Sequence, residues 1–235
     1  MSSINLIDLI NNSQLYSCDL LDLQYLSSKF KKIKKKLSLK KKITIKISSD
    51  YTTSFLAEML PIFLSNRKID ANILESEFGS LRYYIRDLNN KFWYSKGDVL
   101  ILFPSSRKLS FFPKIFDNAK IIKANAKKEA NIWLRAWNST KKNIIQTTFD
   151  PLPFSNFGNA DGVKFGGLLH YVRLVNSILI EKCPTNVDLI DIENLVFKNQ
   201  NLKWNDNKVY NLTKQPFSMN LVPILSNIIS NIISG

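Results

Sequence analysis

The chemistry open to this sequence rests on a few polar side chains set at the ends of apolar runs. Ser48-Ser49-Asp50 follows the β-branched run Ile43 to Ile47 and precedes a helical pattern of apolar residues. A serine at a strand-to-helix turn directs its hydroxyl at the cleft above a sheet, so Ser49 is the candidate nucleophile, with Ser48, Asp50 and Thr52 beside it. Gly79, after the second strand pattern, would lend a backbone amide as an oxyanion donor, and Ser105 stands at the corresponding turn after the third. Arg107 carries a planar fork that suits a phosphate or carboxylate, and Asp150 opens the loop after the fourth strand. Each has a plainer reading. Ser49 and Thr52 are good helix caps, Asp50 suits a helix N-terminus, Asp150-Pro151 is a natural turn, and Arg107 is a surface arginine.

A serine hydroxyl at its ordinary pKa needs a base. His170 is the only histidine, set early in a helical pattern with Arg173 and Ser177 on the same polar face, and it reads as an exposed surface residue. The segment Asn211-Leu212-Thr213-Lys214-Gln215-Pro216, ahead of the last helix, holds neither aspartate nor histidine. Cys18 and Cys183 are the only cysteines, and neither has metal-ligand spacing. No metal site and no cofactor are expected.

The elements that must position these residues alternate along the chain. Residues 1–28 carry a leucine pattern suited to two short helices, and Lys29 to Lys42 is strongly basic. Residues 1–42 therefore read as a helical, lysine-rich extension and 43–235 as one α/β domain. In the second part, Ile43–Ile47, Ile69–Leu74, Asp98–Phe103, Asn143–Phe149 and Val187–Ile192 read as strands. Helical patterns follow at Phe55–Leu64, Leu81–Leu88, Ala119–Ser139, Leu168–Ile180 and 218–234, the last with Ser and Asn facing away from its apolar side. The continuous apolar run to Phe103 indicates a strand buried on both faces. Alternation of this kind implies right-handed crossovers and a doubly wound parallel sheet of about five strands in the order 2-1-3-4-5. In such sheets ligands bind beyond the carboxyl ends of the strands, where the order reverses. The cleft walls should then be Ser48–Thr53, Glu77–Gly79, Phe103–Arg107 and Thr147–Asp150.

Composition narrows the setting. The 235 residues carry 33 Lys and Arg against 19 Asp and Glu, a formal charge of +14. Such a surface attracts acidic proteins or other polyanions, although Lys, Ile and Asn are abundant throughout, as coding bias would produce. The basic stretch lacks aromatic interleaving, which argues against nucleic acid and for a solvated segment anchored by Phe30, Ile33, Leu37 and Leu39. The start Met1-Ser2-Ser3-Ile4-Asn5 does not resemble a signal peptide, and the run Leu221 to Ile233 is too short and too polar to span a bilayer. A cytoplasmic protein is expected.

Several segments together resemble the N-terminal, SGNH-hydrolase-like half of FkbH-type proteins. Lys46 to Leu56 is similar to the strand-to-helix opening of that family, and Glu75-Ser76-Glu77-Phe78-Gly79-Ser80-Leu81-Arg82 to its acidic, aromatic, glycine turn. Ile145 to Pro153, Gly158-Asn159, Asn176 to Leu179, Val187 to Asp191, Trp204-Asn205-Asp206 and Lys214 to Ser218 follow in the same order. The resemblance covers about residues 43–235. It implies an SGNH-like fold that, in the family, precedes a haloacid-dehalogenase-type domain (subfamily IIIC) with an Asp-x-Asp-x-Thr nucleophile motif. Characterised branches move a glyceryl unit onto an acyl carrier protein. This sequence has no such motif, which implies a stand-alone relative or one half of a longer protein. An SGNH triad would need an Asp-x-x-His pair before the last helix, and an asparagine after the third strand, where Pro104-Ser105-Ser106-Arg107 stands. The resemblance thus implies a non-hydrolytic binding or scaffold unit in carrier-protein-dependent biosynthesis of a polyketide, peptide or surface glycan. Its expected partner is an acyl or peptidyl carrier protein, or a dehalogenase-type catalytic protein. The alternative is a divergent esterase or acyltransferase that uses Ser49.

Overall fold

The computed structural model describes residues 6–11 and 15–235. The reading of Met1 to Asn5 as lacking a signal peptide lies outside the described residues. Five parallel strands form one sheet: β1 (Lys41–Ser49), β2 (Ile69–Glu75), β3 (Val99–Phe103), β4 (Asn143–Thr147) and β5 (Val187–Ile190). Their order is β2-β1-β3-β4-β5, as the alternation of strand and helix patterns implies. Among the described residues the α-helices are α1 (Leu6–Asn11), α2 (Leu20–Lys34), α3 (Ser54–Asn66), α4 (Leu81–Arg86), α5 (Lys91–Tyr94), α6 (Ala119–Asn138), α7 (Leu168–Glu181), α8 (Ile192–Lys198), α9 (Asn207–Thr213) and α10 (Leu221–Ser234).

Alternation along each strand sorts side chains between two cores. On one face Ile43, Ile45 and Ile47 of β1 and Val99, Ile101 and Phe103 of β3 meet α2, α3 and α10. On the other, Leu100, Leu102 and Ile144 meet α4, α6 and α7, with Trp133 and Trp137 fully buried. Every residue of β3 is buried, as expected for the central strand of a doubly wound sheet. Leu23, Leu26, Phe30 and Ile33 of α2 belong to the same core as β1. The lysine-rich extension is thereby packed onto the sheet through its apolar face, while Lys31, Lys32, Lys35 and Lys36 stay exposed.

Several boundaries differ from the sequence expectation, each for a local reason. Ser48 and Ser49 were expected in a turn but end β1, because β1 stays in register with β3 through Ser49 opposite Phe103. The helix then starts at Ser54, with Thr53 in the cap position and no side-chain cap bond, so neither Ser49 nor Thr52 caps it and Asp50 lies before its first turn. β5 ends at Ile190 and Ile192 starts α8, because Asp191 accepts a hydrogen bond from the Asn194 amide at 3.1 Å and caps a helix there. In α10, Ser226 and Ser230 are buried rather than turned outward, since α10 packs against α3 along a wider face than its isoleucines cover. Among the described residues no helix is long and apolar enough to cross a membrane.

Candidate functional site

The strand order reverses between β1 and β3, so the loops after these two strands and after β4 meet at one end of the sheet. Two carboxylates knit them together. Asp50, just beyond β1, accepts a hydrogen bond from the Ser105 amide at 3.0 Å. Asp150, beyond β4, accepts one from the next amide, Ser106, at 2.8 Å and a second from Trp204 Nε1 at 3.2 Å. Ser106 Oγ in turn donates to the Asp150 carbonyl. Both carboxylates are buried. Successive amides of the β3 loop are thus held by carboxylates from the strands on either side.

Asp50 is also the inner end of an ion-pair chain. Arg82 of α4 donates through Nε to Asp50 Oδ2 at 3.3 Å and through Nη1 to Glu129 Oε1 at 2.8 Å. Its third arm donates to the Ser105 carbonyl at 3.4 Å. Glu129 comes from α6 and is fully buried, with Oε2 accepting from the Ser110 amide at 2.7 Å. The guanidinium lies 5.0 Å from the Trp133 ring centroid and 5.6 Å from that of Phe149. Burial pushes the Asp50 carboxyl up, and the opposing pull of Arg82 and the Ser105 amide only partly cancels it. Burial pushes Asp150 up as well, against the Ser106 and Trp204 donors. Tyr51, also buried, is pushed well above its ordinary value by burial and then by the nearby charge of Asp150. Asp50 Oδ1, Tyr51 Oη and Thr147 Oγ1 are buried polar atoms without a hydrogen-bond partner among the described residues.

The hydroxyls are held by the backbone and by each other. Ser49 Oγ donates to the Phe103 carbonyl at 3.4 Å and accepts from the Tyr51 amide at 3.0 Å. Ser48 Oγ accepts from Ser76 Oγ at 2.8 Å, and Ser80 Oγ joins that chain at 3.1 Å. Among the described residues no imidazole, ammonium or carboxylate bonds to Ser49 Oγ. His170, expected on the exposed surface, is half-buried at the start of α7 with its ring edge-on to Phe165 at 5.0 Å. The Thr52 amide donates to the Lys214 carbonyl at 3.2 Å, and Thr53 Oγ1 donates to Glu75 at 2.8 Å. Ser49, Thr52 and Phe78 line a small cleft of about 140 Å³ between the β1 and β2 loops. Gly79 lies just past it on an exposed turn, with φ of 75° that favours glycine. Arg107 is half-buried, its guanidinium 4.4 Å from the Tyr210 ring centroid, and its Nε has no acceptor among the described residues.

The site therefore gathers Ser48, Ser49, Asp50, Ser105 and Asp150 at one end of the sheet, with Thr52, Gly79 and Arg107 around it. Sequence reasoning missed Arg82 and Glu129 as members of the site, and gave Ser106 only as part of the Phe103–Arg107 wall. Glu129 left a signal, since it interrupts the apolar side of α6 between Ala126 and Trp133, where a charge must be paired. Trp204, adjacent in sequence to Asn205-Asp206, donates to Asp150. Asn176 closes the loop from below, exchanging two hydrogen bonds of 2.9 Å with the Phe149 backbone. These contacts link Thr147–Asp150, Asn176 and Trp204, which are separate in sequence, into one unit.

No curated protein matches the chain. Among solved structures it is similar to the N-terminal part of a Bacteroides fragilis protein described as containing a phosphatase domain complexed with Mg. The TM-score is 0.72 at 19% identity, over 88% of this chain and 56% of that one. The likeness shows the fold, and the chain spans little more than half of that crystallised N-terminal part. Residues 42–234 match the family model described as FkbH, N-terminal domain, and the chain belongs to that family.

Proposed function

We propose that this chain is a non-hydrolytic, SGNH-like binding unit that serves a carrier-protein-dependent biosynthetic step in the cytoplasm, such as assembly of a polyketide, a peptide or a surface glycan. The observation that carries this reading is the bonding of Ser49 Oγ, which has no base beside it among the described residues. An acyl-transfer site needs free amides aimed at the developing oxyanion and a base on its serine. Here the Ser105 and Ser106 amides already serve Asp50 and Asp150, and both hydrogen bonds of Ser49 Oγ go to backbone groups. Such a cleft can recognise a group presented to it, but among the described residues it offers Ser49 Oγ no base. Family membership supports a role beside an acyl or peptidyl carrier protein. The phosphatase domain named for the Bacteroides fragilis structure supports a dehalogenase-type catalytic partner, joined to the chain or separate from it.

The test compares the protein with its Ser49→Ala variant on short p-nitrophenyl esters, and follows binding of an acidic carrier protein by surface plasmon resonance. Equal, background-level hydrolysis together with salt-sensitive carrier binding is expected. Turnover that depends on Ser49 would overturn the reading.

A further inference from the structure

The loops after β3 and β4 leave an unusual amount of apolar surface uncovered. Phe116 is 98% exposed and Val163 80%, with Phe112, Ile115, Phe154 and Phe165 also exposed. The two loops that carry them come together. The backbone of Gly166 comes so near the Lys114 and Ile115 carbonyls that a Cβ there would lie 3.2 Å from each. Lys123 Nζ lies 6.0 Å from the Phe165 ring centroid, and Arg107 lies at the same distance from that of Phe154, so the patch reaches the loop after β3 at the same end of the sheet as the cleft. An exposed aromatic patch of this kind marks an interaction surface.

Its charge selects the partner. Residues 107–123 and 151–167 hold six cationic side chains against two carboxylates, Asp117 and Asp161. Both carboxylates are held by backbone amides, Asp117 by that of Lys114 at 2.9 Å and the buried Asp161 by those of Asn156, Phe157 and Leu169. A second copy of this chain would set lysine against lysine. Aromatic anchors with an arginine at the centre and lysines at the rim match a protein-protein interface, whose complement is an acidic surface with an apolar middle.

Position separates this patch from the lysine-rich stretch. Residues 35–42 lie at the amino end of β1, whereas the cleft lies beyond its carboxyl end. Nine residues at about 3.3 Å each put the two ends roughly 30 Å apart. A partner docked on Lys34 to Lys36 could not present a group to the cleft, but one seated on the patch could. We infer that the Phe112–Phe116 and Phe154–Phe165 loops are the docking surface for an acidic, apolar-centred face of the carrier protein, which then delivers its attached group to the cleft. The inference rests on the carrier-protein reading above.

The experiment measures binding of a purified holo acyl carrier protein at about 20 mM salt, where screening is weak. Ile115→Ser/Phe116→Ser should weaken binding at least tenfold, and Lys114→Glu/Lys164→Glu should slow association at least tenfold. Replacing Lys34, Lys35 and Lys36 by Glu should change either by less than twofold. Unchanged unfolding midpoints establish that the variants are folded. Carrier binding that survives both patch variants overturns this surface and leaves the carrier-protein reading standing. Absence of carrier binding by the unaltered protein overturns both. Binding of phosphatidylglycerol vesicles that competes with the carrier protein and is lost in the patch variants would assign the patch to a membrane and overturn the inference.

Discussion

Arg82 is the single side chain on which the cleft's electrostatics depend, and replacing it by methionine should cost about 3 kcal/mol. The structure sets the figure. The Arg82 side chain is 13% exposed, and its two carboxylate partners, Asp50 and Glu129, are 1% and 0% exposed at their side chains. Removing one partner of a buried ion pair costs about 3–5 kcal/mol, because the other charge stays buried without compensation. Two carboxylates are orphaned here, but Arg82's own exposure lets some water follow, which favours the lower end. In a chain of this size that corresponds to a fall of about 6–12 °C in the thermal midpoint. The loss should depend on pH. Burial already raises Asp50 in the native state, and without Arg82 the carboxyl loses the strongest influence holding it down. A carboxyl raised on folding binds a proton in the native state that the unfolded chain releases, so stability falls as pH rises between the unfolded and native values. The variant's deficit should therefore be larger at pH 8 than at pH 5. Chemical denaturation at both values measures it, with Arg82→Met/Asp50→Asn/Glu129→Gln expected to recover part of the loss. A deficit below about 1 kcal/mol, or one equal at both pH values, would refute the claim that the chain is a tightly coupled buried network.

Three other outcomes follow from single contacts. Asp150→Asn replaces one of two buried acceptors with an amide that faces an N–H, and should cost about 1–3 kcal/mol in urea unfolding without loss of the fold. Gly167→Ala would set a Cβ 2.0 Å from the Asp161 carbonyl oxygen, so the loop before α7 must shift, at about 2–3 kcal/mol in thermal unfolding. Lys46 is buried on β1 and donates to the Phe92 carbonyl and Ser95 Oγ at 2.6 and 2.7 Å, and burial, then Lys142, lowers its pKa to about 8. Above that value the native state releases a proton that the unfolded chain keeps until its higher, ordinary pKa. The stability of the wild type relative to Lys46→Met should therefore rise between about pH 8 and pH 10.

The fold was legible because its signal is local and repeated. Apolar runs such as Val99–Phe103 and helical stripes such as that of α6 recur in strict alternation, and the handedness of crossovers leaves few topologies. Strand ends were less legible, because pairing decides them. Ser49 extends β1 only because Phe103 lies opposite, and Ile192 leaves β5 because Asp191 caps a helix. The end of the sheet at which the polar residues gather followed from topology alone. Their partners did not, since the Arg82–Glu129 contact joins residues 47 positions apart and no local pattern encodes it. The exposed Phe116 patch was also invisible, because a phenylalanine in a loop reads the same in sequence whether it is covered or bare.

The most direct test of the central claim is whether Ser49 is activated. A fluorophosphonate reacts with a serine whose hydroxyl has a base and oxyanion donors, so incubation followed by mass spectrometry reads activation without reference to any substrate. The account predicts no adduct on Ser49 after an incubation that fully labels a serine esterase run alongside. A stoichiometric adduct on Ser49, absent from Ser49→Ala, would show that the cleft can release its donors for catalysis and would contradict the account.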